Sequence, residues 1–359
     1  MSLTSNAMYI SLIGLFQLQL MYKEKTEPKK NIVVIGYGWG GKNFCDNINH
    51  RKYNVTVVSK TTGMLDTTKL KKVFKPLVLK QANLGSTFIN RECVDVDTQL
   101  KQVKLTGDLI LPYDMLVLAV GSVANDFGIK GITEHCHFLK TVEDHAKLQQ
   151  ALLDIKAEDK RSEDPIVIIG AGPTGIELAF ELSKEGYKVS LIDAMPNILP
   201  MFSSNIAHIV TKQLEKYGIA LHLNTKIDHI DKNHINHNIP YKLAVWTCGV
   251  KANPLIRQIT SAPIVPVNDN LQVVNNQDIY AIGDITAHGP LTAQKAKQQG
   301  IYLAKKLNGM VKEDADADVA EEQEPFVYKE YIKILNTRDF MLVDAKDANL
   351  VFRIPRFYF

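Results

Sequence analysis

The 359-residue sequence predicts an α/β fold of two parallel-sheet units followed by a small strand-rich C-terminal region. Three observations carry that expectation. Two runs, Asn31-Ile32-Val33-Val34-Ile35 and Pro165-Ile166-Val167-Ile168-Ile169, are almost continuously apolar, as in parallel strands covered on both faces. Each opens directly into a glycine fingerprint, Gly36-Tyr37-Gly38-Trp39-Gly40-Gly41 and Gly170-Ala171-Gly172-Pro173-Thr174-Gly175. Each fingerprint precedes a helical stretch and a second strand, Asn54-Val55-Thr56-Val57-Val58-Ser59 and Lys188-Val189-Ser190-Leu191-Ile192-Asp193. A strand, a glycine turn, a helix and a parallel strand make a Rossmann-like dinucleotide-binding unit.

Within each fingerprint the three glycines have separate tasks. Gly36 and Gly170 permit the sharp turn, Gly38 and Gly172 let the backbone approach a pyrophosphate, and Gly41 and Gly175 let helix and strand pack closely. The helix N-terminus then offers free N–H groups and a positive dipole end to phosphate. The residue closing the second strand normally meets the adenosine ribose. Asp193 can accept from both ribose hydroxyls, and a 2′-phosphate there would meet a like charge with no Arg in Ala194-Met195-Pro196, so this unit reads as NAD(H)-binding. The equivalent Ser59 is neutral but can hydrogen-bond a ribose. The purely structural alternatives are two tight turns without a ligand, and a solvated strand-end acid at Asp193.

Composition narrows the class. A hydrophobic content of 45% allows two or three cores, and a net charge of +3 from dispersed lysines argues against a nucleic-acid partner. Cys45, Cys93, Cys136 and Cys248 form no CxxC pair, which argues against a redox dithiol or a zinc site and for a reducing compartment. The uncharged run 8–22, followed by Lys23, Lys25, Lys29 and Lys30, is shorter than the roughly 20 residues of a membrane span. Residues 1–30 therefore read as a leader or an interfacial anchor. Residues 31–145 read as the first part of one nucleotide-binding domain, 146–164 as a charged helical connection, and 165–249 as the second domain. Residues 250–310 return to the first domain, 311–325 form an acidic linker, and 326–359 form the C-terminal region. Two strand-plus-glycine endings, at Gly121 and Gly249, occupy equivalent places, as after an internal duplication.

More specific stretches punctuate this layout: Phe127-Gly128-Ile129-Lys130-Gly131-Ile132, Gly172-Pro173-Thr174-Gly175-Ile176-Glu177, Ala281-Ile282-Gly283-Asp284, and Thr292-Ala293-Gln294-Lys295-Ala296-Lys297-Gln298. On these motifs, spread over residues 31–310, the chain resembles the FAD-dependent pyridine nucleotide-disulfide oxidoreductase fold group. Within that group it resembles the type II, single-subunit, non-proton-pumping NADH:quinone oxidoreductases of the mitochondrial-like branch. The resemblance implies FAD at the first fingerprint, held by Gly36, Gly38, Trp39, Gly41, Ser59, Thr67, Gly121 and Asp284. It implies NADH at the second, held by Gly170, Gly172, Pro173, Thr174, Gly175, Asp193 and Gly249. Glu177 would lie beside the nicotinamide, and Gln294 and Gln298, four apart on one helical face, would line a quinone pocket. It further implies direct hydride transfer from NADH, electrons passed to a quinone, peripheral contact with the mitochondrial inner or a cytoplasmic membrane, and a homodimer. Local readings stand beside these roles: a helix N-cap at Asp284, a first-turn helix acid at Glu177, and a solvated face at the paired glutamines.

Three stretches depart from the family pattern. The family has an aromatic-rich loop where this chain keeps only Ser59, Thr67 and Leu70 in register, segment 71–84 is short, and the family's terminal amphipathic helices have no counterpart before Phe359. These departures keep two alternatives open: a soluble cytoplasmic NADH-dependent flavoprotein reductase serving an iron–sulfur protein or other acceptor, and a catalytically weak binding module of the same fold.

Overall fold

The structure is a computed structural model, and it describes residues 28–61, 85–157, 164–310, 324–330, 332–337, 340–345 and 348–353. The expected leader, Thr67 and nearly all of the acidic linker lie outside the described residues.

Both apolar runs form the central strand of a five-stranded, all-parallel sheet. In the first, Lys30–Ile35 is flanked by Tyr53–Val58 on one side and Met115–Leu118 on the other, with Thr87–Ile89 and Ile279–Ala281 at the edges. In the second, Ile166–Ile169 is flanked by Val189–Ile192 and Leu243–Trp246, with Ala220–His222 and Cys136–Phe138 at the edges. The duplication extends to single hydrogen bonds. Gly36 N donates to Val58 O and Gly170 N to Ile192 O, both at 2.8 Å. Ala119 N donates to Ile35 O and Thr247 N to Ile169 O, again at 2.8 Å. Burial explains the composition of these strands: Ile32, Val34, Val167 and Ile168 are all fully buried, which removes any place for a polar side chain.

The structure moves one expected boundary. Cys136–Phe138, expected in the first domain, is an edge strand of the second sheet. The helix Val142–Ala157, expected as a connection, buries Leu148 and Leu152 in the same core as Ile166, Ile176 and Leu191. Its charged residues conceal an i,i+4 apolar pair, enough to dock one side of the helix. Just after Gly121 and Gly249 the chain crosses between units, and the crossovers Ser122–Ala124 and Val250–Ala252 pair with each other antiparallel. The C-terminal strands Ile332–Asn336, Phe340–Ala345 and Ala348–Arg353 form an antiparallel meander. Leu335 and Leu342 sink into the second core, and Asp344 Oδ2 accepts from Ser203 N at 2.8 Å.

Over the first sheet, the fingerprint helix Trp39–Asn47 lies against the long helix Ala293–Met310. The contact is made by backbone. A Cβ on Gly300 would sit 3.0 Å from Phe44 N and closer still to the Gly40 carbonyl oxygen. Gly300→Ala should therefore destabilise the fold by about 2 kcal/mol, because overpacking outweighs the roughly 1 kcal/mol that helix propensity gains. Thermal unfolding of the variant beside the parent protein measures the sign: a higher melting temperature would contradict the close helix crossing.

Candidate dinucleotide sites

The two fingerprints fold alike, and their glycines divide the work as their order suggests. Gly36 (φ +99°) and Gly170 (φ +112°) turn where an L side chain is strained, and a Cβ on Gly170 would come within 2.8 Å of Thr247 Oγ1. A Cβ on Gly41 or Gly175 would be driven into the carbonyl oxygen of Gly36 or Gly170, so these two positions hold helix to turn. By contrast, a Cβ on Gly38 or Gly172 would meet nothing within 4 Å. The second glycine of each fingerprint thus faces open space, the one direction from which another backbone-close group can approach.

Both open glycines are helix N-caps. Gly38 caps Trp39–Asn47 and Gly172 caps Pro173–Lys184; neither cap has a side-chain acceptor, and neither helix has an acid in its first turn. The uncapped N–H groups and the positive dipole end suit an anion. Pro173 costs no donor that the helix would use, because the first-turn N–H has no intrahelical acceptor. Trp39 and Thr174 occupy the first turns of their helices, half-buried beside these caps.

Asp193 is tied to the second fingerprint. Its Oδ2 accepts from Ala171 N at 2.6 Å and its Oδ1 from Met195 N at 2.8 Å. It is therefore no solvated strand-end acid. The two bonds aim the carboxylate at the glycine turn and leave lone pairs for ribose hydroxyls. At the first fingerprint, Ser59 turns its hydroxyl into its own loop, donating to Thr61 O at 2.8 Å, while Ser59 N donates to Ile89 O.

Glu177 is buried, on the second turn of its helix rather than the first, so the first-turn reading does not hold. Gly121 (φ +66°) has nothing within 4 Å of a Cβ, whereas a Cβ on the equivalent Gly249 (φ +61°) would be 2.9 Å from Phe127 Cζ. Phe127 is itself left-handed (φ +52°) and edge-on to Trp246, whose Nε1 donates to Asn125 O at 2.9 Å.

Asp284 gathers polar groups from distant parts of the chain. Ser122 Oγ donates to its Oδ2 at 2.5 Å, and Lys140 Nζ lies 3.5 Å from the same oxygen. It is not a helix cap, because Thr292 fills that role, accepting from Lys295 N at 3.2 Å. Sequence reasoning missed Ser122 and Lys140, and also missed the buried partners on the following helix. Lys295 is fully buried, donating from Nζ to Thr286 O at 3.0 Å. Burial pushes its ammonium pKa down, while the charge of Asp284 pushes it back up. Gln299 is equally buried, accepting from Gly283 N at 2.7 Å and donating to Thr286 Oγ1 at 3.1 Å. The spacing Lys295, Gln299, Leu303, Leu307 marks this inward stripe in the sequence, once Lys and Gln are admitted to it.

Gln294 and Gln298 share a face as their spacing requires, but that face is covered by residues 326–330. Tyr328 Oη donates to Gln294 Oε1 at 3.0 Å. Gln298 donates from Nε2 to Lys329 O at 2.8 Å and accepts from Lys329 N at 3.0 Å, clasping one peptide unit from both sides. The solvated-face reading is thus replaced by a docked strap, anchored by Phe326 against Tyr302 and His288.

The fold and these two cradles define a tandem dinucleotide-binding protein. Residues 30–300 match the pyridine nucleotide-disulphide oxidoreductase family, and the chain belongs to it. Among its relatives is a probable mitochondrial NADH-ubiquinone oxidoreductase of Schizosaccharomyces pombe, 30% identical over 78% of this chain and 63% of that protein. The external mitochondrial NADH-ubiquinone oxidoreductase 2 of Saccharomyces cerevisiae is also 30% identical, over 84% of this chain and 69% of its own length. The structure of NDH2 from Plasmodium falciparum in complex with NADH shares the fold, with a TM-score of 0.79, 21% identity and 92% of each chain covered. The chain spans 63% and 61% of the first curated relatives it matches.

The family name includes disulphide chemistry, whereas this chain's four cysteines form no CxxC pair. All four cysteines are free, and burial pushes the thiol pKa up to about 12 in Cys45, Cys136 and Cys248 and about 11 in Cys93. A thiol alkylates only as thiolate, so at pH 8 all four should resist iodoacetamide in the native protein and react fully in denaturant. Mass spectrometry of labelled protein reads this directly; rapid native labelling of Cys136 or Cys248 would contradict the burial.

Proposed function

We propose that this chain is an FAD-dependent NADH dehydrogenase that passes electrons from NADH through FAD to a quinone. The observation that carries the reading is the pair of open glycine caps, Gly38 and Gly172, in two otherwise close-packed fingerprints whose crossovers pair with each other. Two anion cradles joined in this way suit two dinucleotides brought together.

The first cradle fits FAD. Gly38 and Trp39 would meet the pyrophosphate in the turn that Gly36 and Gly41 shape, Ser59 would accept from the ribose while its hydroxyl donates to Thr61 O, and Gly121 and Asp284 would face the flavin half. Bound FAD supplies a two-electron carrier between NADH and the acceptor. The cationic surroundings of Asp284, with Lys140 at 3.5 Å and buried Lys295 on the adjoining helix, suit a cofactor that gains negative charge on reduction. The second cradle takes NADH: Gly170, Gly172, Pro173, Thr174 and Gly175 at the pyrophosphate, Asp193 at the ribose, and Gly249 and Glu177 toward the nicotinamide. These residues chiefly bind, orient and exclude water, since hydride transfer needs no acid–base pair.

At the acceptor end, Gln294 keeps its amide N–H groups for a quinone carbonyl. Gln298 acts by positioning, because both ends of its amide hold Lys329. Leu291, three residues before Gln294, and Val327, next to the Tyr328 that bonds Gln294, are both exposed, apolar side chains that suit a lipid-soluble acceptor and peripheral contact with a membrane. Among the described residues no helix is long and apolar enough to cross a membrane.

Anaerobic stopped-flow absorbance tests the reading. Purified protein should carry flavin absorbance that bleaches with NADH much faster than with NADPH, and a short-chain ubiquinone should reoxidise it faster than ferricyanide does. Gln294→Ala should slow quinone reoxidation by about three- to ten-fold, the worth of one hydrogen bond, and leave bleaching unchanged. Asp193→Asn should weaken NADH binding with no change in FAD content. Faster reoxidation by ferricyanide or an iron–sulfur protein would favour a soluble reductase, and protein that cannot be loaded with FAD would contradict the proposal.

A further inference from the structure

The stretch Asp228-His229-Ile230-Asp231-Lys232-Asn233-His234-Ile235-Asn236-His237 belongs to neither fingerprint, and the proposed function uses none of it. A histidine-rich tract is a composition that metals favour, but composition alone places no ligands together. Here the fold does so. The short hairpin of His234–Ile235 and Ile239–Pro240 folds back so that the rings of His229 and His237 stack, 4.8 Å between centroids and 17° from parallel. One ligand atom each from His229, Asp231 and His237 lies within 4.8 Å of the others.

The framework under these three groups is built. Asn236 staples the turn, accepting through Oδ1 from Asp228 N at 2.9 Å and donating through Nδ2 to Lys226 O at 2.7 Å. Asp231 Oδ1 accepts from Asn233 N at 2.9 Å and His234 N at 2.8 Å, which fixes the carboxylate. His237 is held left-handed at φ +64°, directly after Asn236 at φ +49°, a conformation that carries its ring back over His229. His229 Nδ1 is buried and has no hydrogen-bond partner. His229 thus carries an orphaned buried nitrogen, and one ring nitrogen each of His229 and His237 and one carboxylate oxygen of Asp231 cluster within 4.8 Å of one another.

We infer that His229, Asp231 and His237 form a binding site for a divalent transition-metal ion of the borderline class, with zinc(II) as its archetype and water completing the coordination. Two imidazoles and one carboxylate suit zinc, cobalt, nickel or copper, whereas magnesium and calcium demand oxygen ligands. Bonds of about 2.0–2.2 Å draw ligand atoms closer together than their present separation. Metal binding therefore requires the exposed ring of His237 to turn inward. The site would also brace a junction. Ile230 N donates to Lys130 O at 3.0 Å, and Gly131 packs against Ile230 O, so the hairpin is fastened to the chain that enters the second unit.

Calorimetric titration of full-length, tag-free protein with zinc chloride tests the site. Saturable one-to-one uptake at micromolar zinc is expected, with a higher melting temperature when zinc is bound. His237→Asn retains a residue that tolerates the left-handed backbone, and Asp231→Asn retains the Oδ1 acceptor, so both should keep the unliganded melting temperature. Each should weaken zinc binding by more than the roughly ten- to hundred-fold that loss of a supporting outer-shell group costs. Zinc-edge X-ray absorption of the unmutated protein should show two imidazoles, a reading that does not depend on the variants. Absence of saturable uptake, wild-type affinity in His237→Asn, or a zinc shell without imidazole would each overturn the inference.

Discussion

The structure depends on one steric constraint, the contact of a helix backbone with the turn that launches it. At Gly41 and Gly175 the helix passes so close to the carbonyl oxygens of Gly36 and Gly170 that no side chain fits between them. That approach fixes each helix N-terminus over the end of its strand. From it follow the orientation of the uncapped N–H groups, the open space at Gly38 and Gly172, and the position of Asp193 against Ala171 N. Because the same contact is made twice, the two sheets repeat even in their individual hydrogen bonds.

Around this frame the polar groups are spent unevenly. At the second fingerprint one acid, Asp193, is bonded to the glycine turn itself. At the first, Asp284 draws in Ser122 from a crossover strand and Lys140 from beyond the second sheet's edge strand. Lys295 and Gln299 then brace residues 283–286 from the helix behind. A fully buried ammonium near a helix N-terminus opposes the helix dipole, and only nearby carbonyls and Asp284 offset that cost. In the proposed function this excess of positive charge surrounds the cofactor that becomes reduced.

Much of the fold was legible in the sequence because buried parallel strands allow little variation: Ile32 to Ile35 and Ile166 to Ile169 could hardly be anything else. The glycine tasks were legible for the same reason, each answering to a local steric demand. Less legible was the placement of residues 136–157, where a three-residue edge strand and a helix with a narrow apolar pair join the second unit across the fingerprint boundary. Lys295 and Gln299 were not legible because both are polar residue types, and only the helical period they share with Leu303 and Leu307 places them inward. The clasp of Gln298 on Lys329 could not be read at all, since it joins a side chain to a peptide unit far along the chain and leaves no trace in residue type.

The central claim is that two separate glycine caps receive two different dinucleotides, and one paired measurement tests it most directly. Gly38→Val and Gly172→Val each place a side chain in a cap where a Cβ meets nothing within 4 Å, so each should still fold, at a cost of about 1 kcal/mol for an apolar N-cap. FAD content after reconstitution and NADH affinity are then measured on both variants. The account predicts separable losses: Gly38→Val fails to retain FAD, and Gly172→Val retains FAD but binds NADH poorly. Loss of neither ligand in either variant, or the same loss in both, would contradict it.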